Sequence, residues 1–219
     1  MPLTETPGRQ YGGLSAADRA AQRRRRLLEA ALGIMAEDGW RQITVERLCG
    51  EARLNKRYFY ESFTDLDSVA ATVVEDLADQ LIREAVRPFV EQRDLPIDEL
   101  VRRGLSRLIR YLISDPRRAR VLWGGLASTP AINRYRAVAM SALTRSVVQF
   151  GLDRPDSGQP DPIFEITAAM LLGGTGETVL QWLDGTIDVS EQQLVEELSA
   201  HWLRAGQTHA ARLRAQRAD

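Results

Sequence analysis

Cysteine, histidine, lysine and aromatic residues are all scarce in this chain of 219 residues. Its single cysteine, Cys49, cannot form a disulfide within the chain, which excludes the disulfide frameworks of small secreted proteins. Nowhere does the sequence run for about 18 residues without a charge, as a membrane span would require, and its start has no apolar stretch resembling a signal peptide. These absences predict a cytoplasmic protein with no membrane partner.

The rarity of histidine also limits the chemistry available for catalysis. Both histidines, His201 and His209, fall on one predicted helix, eight positions apart, which is too far for an ordinary two-histidine metal site. No Ser-His-Asp order, phosphate-binding glycine loop or HExxH run is visible, and Cys49 has no histidine near it in sequence. We therefore expect no catalytic residue, no metal and no cofactor, and an enzyme is the least favoured class of function.

What the chain does contain is ample apolar sequence and an uneven distribution of charge. Hydrophobic residues make up 44% of the chain, enough for one sizeable core or for a small module joined to a larger one. Residues 1–60 carry 11 basic and 7 acidic side chains, whereas the remainder carries 18 and 23. A basic head on an acidic body is typical of a protein that contacts a polyanion at one end, the alternative being a chance fluctuation.

Apolar residues recur at helical spacing throughout, and no stretch alternates with a period of two over the length of a strand. The sequence therefore predicts an all-α protein of about nine helices, with a flexible arm at 1–14, a three-helix domain at 15–63 and a larger helical domain at 64–219. In the larger domain, Thr64 and Asp67 form a predicted capping box at the start of a helix that ends or kinks at Pro88. Further helices are predicted at 96–114, 116–122, 129–150, 161–182 and from residue 190 onward.

The boundaries of the first three helices are marked by capping residues. Ser15 is a predicted N-cap, and Gly39 is predicted to end the first helix in a left-handed conformation, with Trp40 packing back on its last turn. Thr44 and Asn55 then cap two short helices that are joined by a tight turn. Two short helices of this kind, after a helix with a basic start, are typical of a helix-turn-helix, whose second helix enters the major groove of DNA.

The opening turns of the second short helix carry the candidate base contacts. Phe59 and Phe63 have the spacing of core residues, which leaves the beginning of the helix exposed. Arg57 is the favoured guanine reader because its planar fork can donate two hydrogen bonds to one base edge, although it could also be a solvated charge. Tyr58 has an equally weighted alternative role in packing at the helix rim. The four candidates for base contact are Asn55, Lys56, Arg57 and Tyr58.

About fifty positions of this region resemble the DNA-binding signature of TetR-type (tetracycline-repressor family) transcriptional regulators. The resemblance implies a homodimeric regulator, usually a repressor, that binds double-stranded DNA and whose helical C-terminal domain dimerises and often binds a small-molecule inducer. Within that class, a DNA-binding regulator without an inducer is the alternative. The residues that carry the resemblance are Leu27-Leu28-Glu29-Ala30-Ala31, Met35, Gly39-Trp40, Thr44-Val45, Leu48-Cys49, Ala52-Arg53-Leu54-Asn55-Lys56, Phe59-Tyr60 and Phe63.

The resemblance also assigns phosphate contacts. Thr44 and Tyr60 match family positions that hold the DNA backbone, and Lys56 falls where a base or phosphate contact is typical. Arg53 replaces a frequent turn glycine; a left-handed Arg53 would cost roughly 1 kcal/mol in strain, which a phosphate contact could offset. Four successive arginines, 23–26, point about 100° apart on a helix, so we expect most of them to be solvated.

In the larger domain, apolar stripes such as Leu105, Leu108 and Leu143 predict core. If a ligand cavity exists, the resemblance places it between about residue 97 and the start of the helix after residue 150. Each of the residues proposed for it has packing as the alternative role, and they are Tyr111, Trp123, Met140 and Phe150.

The resemblance to TetR-type regulators assigns dimerisation to the last two helices. Glycines at 173, 174 and 176 lie inside a predicted helix, where each lowers helix stability by about 0.5–1 kcal/mol relative to alanine. Close approach of another helix would offset that cost, and a break in the helix is the alternative. The predicted interface residues are Gly173 and Gly174, together with Leu194, Leu198 and Trp202, which form a stripe on the last helix that we expect to be buried at the interface.

Overall fold

In the computed structural model, residues 15–41, 43–124, 129–149 and 162–216 are described, and they form nine α-helices and no strand. The all-α prediction is confirmed. The predicted arm at 1–14 and the candidate pocket residue Phe150 lie outside the described residues. The helices are α1 (Ala16–Glu37), α2 (Val45–Glu51), α3 (Lys56–Ser62), α4 (Leu66–Glu91), α5 (Ile97–Ile113), α6 (Arg117–Leu122), α7 (Pro130–Val147), α8 (Pro162–Leu183) and α9 (Glu191–Gln216).

The predicted caps of the first three helices are all present. Ser15 forms a reciprocal capping box with Asp18 at the start of α1. Gly39 is left-handed with φ +74°, and Trp40 is only 2% exposed, so the chain reverses there against a buried ring. Thr44 and Asn55 each accept a backbone N–H three residues along, at the starts of α2 and α3. The helix boundaries predicted from these capping residues agree with the structure to within one residue.

Helix α4 differs from its prediction at its start, and it does not end at Pro88. Its N-cap is Asp65 rather than Thr64. The Asp65 carboxylate accepts from the Ser68 N–H at 2.7 Å, and the Ser68 hydroxyl oxygen accepts from the Asp65 N–H at 3.4 Å. At the other end the helix continues through Pro88 to Glu91. Proline has no backbone N–H and therefore removes one intrahelical hydrogen bond. The Pro88 ring is buried, and the helix continues beyond it to Glu91.

One continuous core joins the N-terminal helices to the rest of the protein. Helix α4 is central, since it packs against α1, α5, α6 and α7. Helix α1 packs on α2 and α3 on one side and on α4 and α6 on the other. Helix α5 packs on α9, and α8 lies between α7 and α9. The short helices α2 and α3 are therefore supported mainly by α1, while α4 reaches from α1 into the body.

Helix α8 runs without a break through its three glycines, so the alternative of a helix break is wrong. A Cβ atom at Gly176 would lie 2.1 Å from the Trp123 ring, which shows that α8 approaches the end of α6 too closely for any larger residue. Gly173 and Gly174 have no atom within 4 Å of such a position, and both are exposed. Only Gly176 is explained by packing within the protein.

Helix α8 also differs from the sequence-based expectation about membrane spans. Among the described residues it is the one helix long and apolar enough to cross a membrane by length and composition alone. Of its most apolar window, 39% is buried inside the fold. Core helices meet the same criterion, so this property by itself decides nothing about location.

Candidate functional site

Helix α3 is anchored through one face and exposed on the other. Phe59 is fully buried, packs edge-to-face on Tyr60 with ring centroids 5.1 Å apart, and lies near the ring of Phe63. The predicted core role of Phe59 and Phe63 is therefore confirmed. Because a helix that buries one stripe must present the other, the first turn of α3 is available to a partner.

Both cations in that first turn are paired with carboxylates of the same domain. Lys56 Nζ lies 3.4 Å from an oxygen of Glu46 on α2. Arg57 Nε donates to Glu61 Oε1 at 2.9 Å, one turn along α3. The Arg57 side chain is 82% exposed, so its two terminal amino groups face solvent. Asn55, by contrast, uses its side-chain oxygen as the cap of α3.

Of the arginine run 23–26, Arg23 and Arg24 are half-buried against the helix-turn-helix, whereas Arg25 and Arg26 are exposed. Arg23 lies over the Tyr58 ring at 4.3 Å from its centroid, and Arg24 lies over Phe63 at 4.6 Å. Arg26 donates to the backbone carbonyl of Arg53 at 3.2 Å. Successive positions on α1 point in different directions, but α3 and the turn curve around that helix and meet three of the four. Tyr58 is accordingly half-buried under Arg23, as its alternative packing role requires.

Arg53 adopts the left-handed conformation anticipated for the turn, with φ +51°. Its N–H donates to the Gly50 carbonyl, and the next N–H, of Leu54, donates to the Cys49 carbonyl at 2.9 Å. This pattern is that of a helix C-terminus whose left-handed residue is usually glycine. The Arg53 side chain is exposed, so the conformation brings no burial that would offset its strain.

Replacing Arg53 by glycine should stabilise the fold. Relief of the left-handed strain contributes about 1–2 kcal/mol, of which the greater backbone freedom of glycine in the unfolded chain offsets about half. We expect a net gain of roughly 0.5–1 kcal/mol in the free energy of unfolding, measured by urea denaturation. Arg53→Ala is the control, because alanine has the same steric penalty and should give no such gain. Equal effects of the two substitutions would contradict the strain.

Thr44 and Tyr60, which are assigned to phosphate together with Arg53, lie on the exposed surface of the same domain. Thr44 is exposed, and its hydroxyl oxygen accepts from the Arg47 N–H at 3.1 Å, which leaves the hydroxyl hydrogen to donate outward. Tyr60 is 64% exposed, with its ring edge held by Phe59. Cys49 is buried, and desolvation raises the pKa of its thiol, so it behaves as a small apolar residue.

A cavity of about 80 Å³ lies between α4, α5, α7, α8 and α9. This volume exceeds the roughly 10–15 Å³ that a single water needs by the same measure. Ser146 is the one polar side chain among the residues that line it, so the walls are otherwise carbon. Principal lining residues are Val86 and Phe89 of α4, Leu105 and Leu108 of α5, Leu143 and Val147 of α7, Leu172 of α8 and Trp202 of α9.

None of the described residues proposed for a pocket lines this cavity. The hydroxyl of Tyr111 donates to Gln80 at 3.1 Å, and the Tyr111 ring lies under Arg118. Trp123 packs on Gly176, and Met140 is half-buried against the core. Each has the packing role that was its alternative. Residues of the apolar stripes, which were expected to be simple core, form most of the cavity wall.

The predicted interface residues separate into two groups. Leu194 and Trp202 are 4% and 7% exposed within a single chain, and the indole N–H of Trp202 donates to the Thr175 hydroxyl at 3.1 Å. Leu198 is half-buried. Packing inside one chain therefore already explains the burial of α9, because its stripe faces α5 and α8. The interface assignment for Leu194 and Trp202 thus loses its basis in burial.

Helix α8 instead presents an exposed apolar stripe that the sequence analysis missed. Ile163, Ile166 and Met170 are 48%, 63% and 72% exposed, and Gly173 and Gly174 continue the same stripe. Their spacing of three and four residues places them on one face of the helix. Periodicity alone could not find this stripe, since α8 is apolar on most sides and only packing shows which side is left uncovered.

Comparison with known proteins finds similarity in structure alone. No protein-family model matches the sequence, and no curated protein matches it either. A TetR-like transcriptional regulator from Rhodococcus is similar with a TM-score of 0.65 and 18% identity, over 88% of this chain and 97% of that chain. The fatty acid degradation regulator FadR from Bacillus halodurans has a TM-score of 0.63 and 16% identity, over 83% and 94%.

A third similar structure is FadR from Bacillus subtilis in complex with stearoyl-CoA, with a TM-score of 0.61 and 17% identity over 81% of this chain and 96% of that one. All three likenesses cover more than four-fifths of this chain. The nine helices of the described residues have the fold of the TetR-family transcriptional regulators.

Proposed function

We propose that this protein is a DNA-binding transcriptional regulator without enzymatic activity, which acts in the cytoplasm as a homodimer and binds a near-palindromic operator. The observation that carries the proposal is the exposed first turn of α3, held on a buried aromatic base and presenting two cations. The fold supports it, because the structures similar to this one are transcriptional regulators.

In the proposed complex, α3 enters the major groove with its N-terminal end foremost. Asn55, Lys56 and Arg57 contact base edges, and Tyr58 contributes from the rim of the helix. A bidentate contact from Arg57 to guanine would discriminate against a wrong base by about 1–3 kcal/mol. Phosphate contacts come from Thr44, Arg53 and Tyr60, which fix the position of the domain on the duplex without reading sequence.

Dimerisation is assigned to the exposed face of α8. Two copies related by a two-fold axis would bury Ile163, Ile166 and Met170 against each other, with Gly173 and Gly174 allowing close approach of the two helices. Leu198 lies at the edge of α9 and could extend this interface. In such a dimer the two α3 helices would read operator half-sites about 34–36 Å apart.

The cavity supports a ligand-responsive repressor over a regulator without an inducer. An apolar or amphipathic small molecule would bury its hydrocarbon part against the carbon walls. The stearoyl-CoA complex of the Bacillus subtilis neighbour offers one ligand of this kind, an acyl chain with a polar head. Such a ligand releases the operator only if it binds the non-operator conformation more tightly, because equal affinity for both conformations shifts nothing.

The test of DNA binding is selection of bound fragments from random duplex DNA with the purified full-length protein. We expect an enriched site with two inverted halves, and an affinity that falls steeply with salt as phosphate contacts release counterions. If no sequence is enriched, even at low ionic strength, the proposed function is wrong.

The cavity also predicts which tryptophan reports on ligand. Trp202 lines it and Trp123 does not, so a compound that releases the selected operator should change the emission of Trp202. We expect Trp202→Phe to lose this change in fluorescence and Trp123→Phe to retain it. A response that follows Trp123 instead would place the ligand near the end of α6, as the sequence analysis had it.

A further inference from the structure

Three charged side chains form a chain of contacts beside the exposed turn of α3. Glu61 accepts from Arg57 Nε through one carboxylate oxygen at 2.9 Å, and its other oxygen lies 3.6 Å from the Arg23 guanidinium. Arg23 itself lies over the Tyr58 ring at 4.3 Å. Glu61 is therefore held from α1 while it holds Arg57.

The geometry of the Arg57 contact leaves the reading end of that side chain free to bind. A guanidinium has five N–H donors, and Glu61 uses the one on Nε. The two terminal amino groups form the planar fork that matches the two acceptors of a guanine edge. An arginine restrained at Nε thus keeps the donors that read the base and loses much of its rotational freedom before binding.

We infer that Glu61 and Arg23 are positioning residues for sequence readout, which orient Arg57 toward a guanine. This inference rests on the proposed DNA-binding function and deepens it. The Glu61 pair persists in the operator complex because it engages an atom that the base does not use. Glu61 also repels phosphate, so its contribution favours a base contact from Arg57 over a backbone contact. Arg23 limits that repulsion by partly neutralising the carboxylate.

The pair between Lys56 and Glu46 lacks these features and provides a matched control. Lysine carries a single ammonium group with no fork to orient, and Glu46 is 80% exposed, without an arginine on its second oxygen among the described ion pairs. Removing either carboxylate changes the charge of the same surface by one. Only removal of Glu61 should alter how the protein chooses a base.

The experiment compares Glu61→Ala and Glu61→Gln with Glu46→Ala in the full-length protein. The affinity for the selected operator is measured alongside that for the same operator with each guanine substituted and for non-cognate duplex. For Glu61→Ala we expect operator affinity to fall roughly 2- to 10-fold, the cost of ordering one long side chain on binding, with unchanged or higher affinity for non-cognate DNA. Preference at one guanine should decrease, with Glu61→Gln intermediate. Glu46→Ala should leave that preference unchanged.

A double-mutant cycle separates positioning from a general effect of structure. With Arg57→Ala as background, Glu61→Ala should have no further effect on base preference. Arg23→Ala should reduce preference at the same guanine by a smaller factor than Glu61→Ala. If Glu61→Ala and Glu46→Ala behave alike, or if the effects of Glu61 and Arg57 are additive, the inference is wrong. Absence of any operator preference in the unsubstituted protein would instead overturn the proposed function.

Discussion

Replacing Met170 by glutamate is expected to convert the proposed dimer to a monomer and to weaken operator binding by roughly 100-fold or more. Met170 is 72% exposed in one chain and lies in the middle of the α8 stripe. In a two-fold interface the substitution places two carboxylates near each other in an apolar environment, at a cost of several kcal/mol. A monomer must then bind each half-site separately and loses an avidity of about 10²–10⁴. Sedimentation velocity and operator titration measure the two effects.

Val138→Glu is the matched control for this substitution. Val138 on α7 is 64% exposed, so the same change is made at a similarly exposed apolar position away from the stripe. We expect it to leave both the sedimentation coefficient and the operator affinity unchanged. A dimer that survives Met170→Glu would exclude the α8 face as the interface. A monomer produced by Val138→Glu would place the interface on α7.

Much of the fold was accessible from the sequence because its signals are local. Ser15, Thr44 and Asn55 satisfy backbone groups within three residues, so each cap can be identified without knowledge of the tertiary structure. The left-handed Gly39 is likewise a local consequence of helix termination. The N-cap of α4 was predicted as Thr64 instead of Asp65 because threonine and aspartate are both good N-caps, so residue preference alone does not distinguish the two positions.

Predictions that depended on the partner of a helix face were less successful. The stripe containing Leu194 and Trp202 was correctly expected to be buried, but periodicity could not distinguish α5 and α8 of the same chain from a second copy. The cavity was missed for a related reason. The residues that line it have the same apolar spacing as core residues. Whether a void forms between them depends on how closely helices distant in sequence pack, which the spacing does not show.

The candidate reading surface was identified from its residue types, but its internal contacts were not. Sequence order shows that Glu61 is one helical turn from Arg57. It does not show that Arg23 on α1 reaches the same carboxylate, because that contact depends on the crossing of α1 and α3. The arginine run was therefore expected to be mostly solvated, although Arg23 and Arg24 are half-buried against the helix-turn-helix.

The structure also connects the cavity with the reading helices. Helix α4 lines the cavity with Val86 and Phe89 near its end and packs against α1. On α6, Arg117 donates to Glu29 of α1 at 2.7 Å and to Asp115, whose pKa is held below its usual value by that hydrogen bond. Under the proposed function, a ligand in the cavity that displaced α4 would also move α1, which packs against α3. The two proposed activities share these rigid helices.

Replacing Arg57 by alanine is expected to reduce operator affinity by about 1–3 kcal/mol, or roughly 5- to 150-fold, and to relax selectivity at one base pair. The loss of affinity for non-cognate DNA should be smaller, because only one cation is removed. Arg57→Lys distinguishes the role of the fork from that of the charge. Lysine keeps the charge, so binding to non-cognate DNA should be retained, but it cannot donate in the bidentate geometry and base selectivity should still be lost.

Titrations of the selected operator and of variants at each guanine measure both quantities. If Arg57→Lys retained full selectivity, Arg57 would contact phosphate, and Asn55 and Lys56 would be left as the direct readers. If Arg57→Ala lost the same affinity for every duplex, that result would also show that Arg57 contacts phosphate and does not read a base. The two substitutions together thus decide whether the exposed turn of α3 reads sequence through the guanidinium or only attracts DNA through its charge.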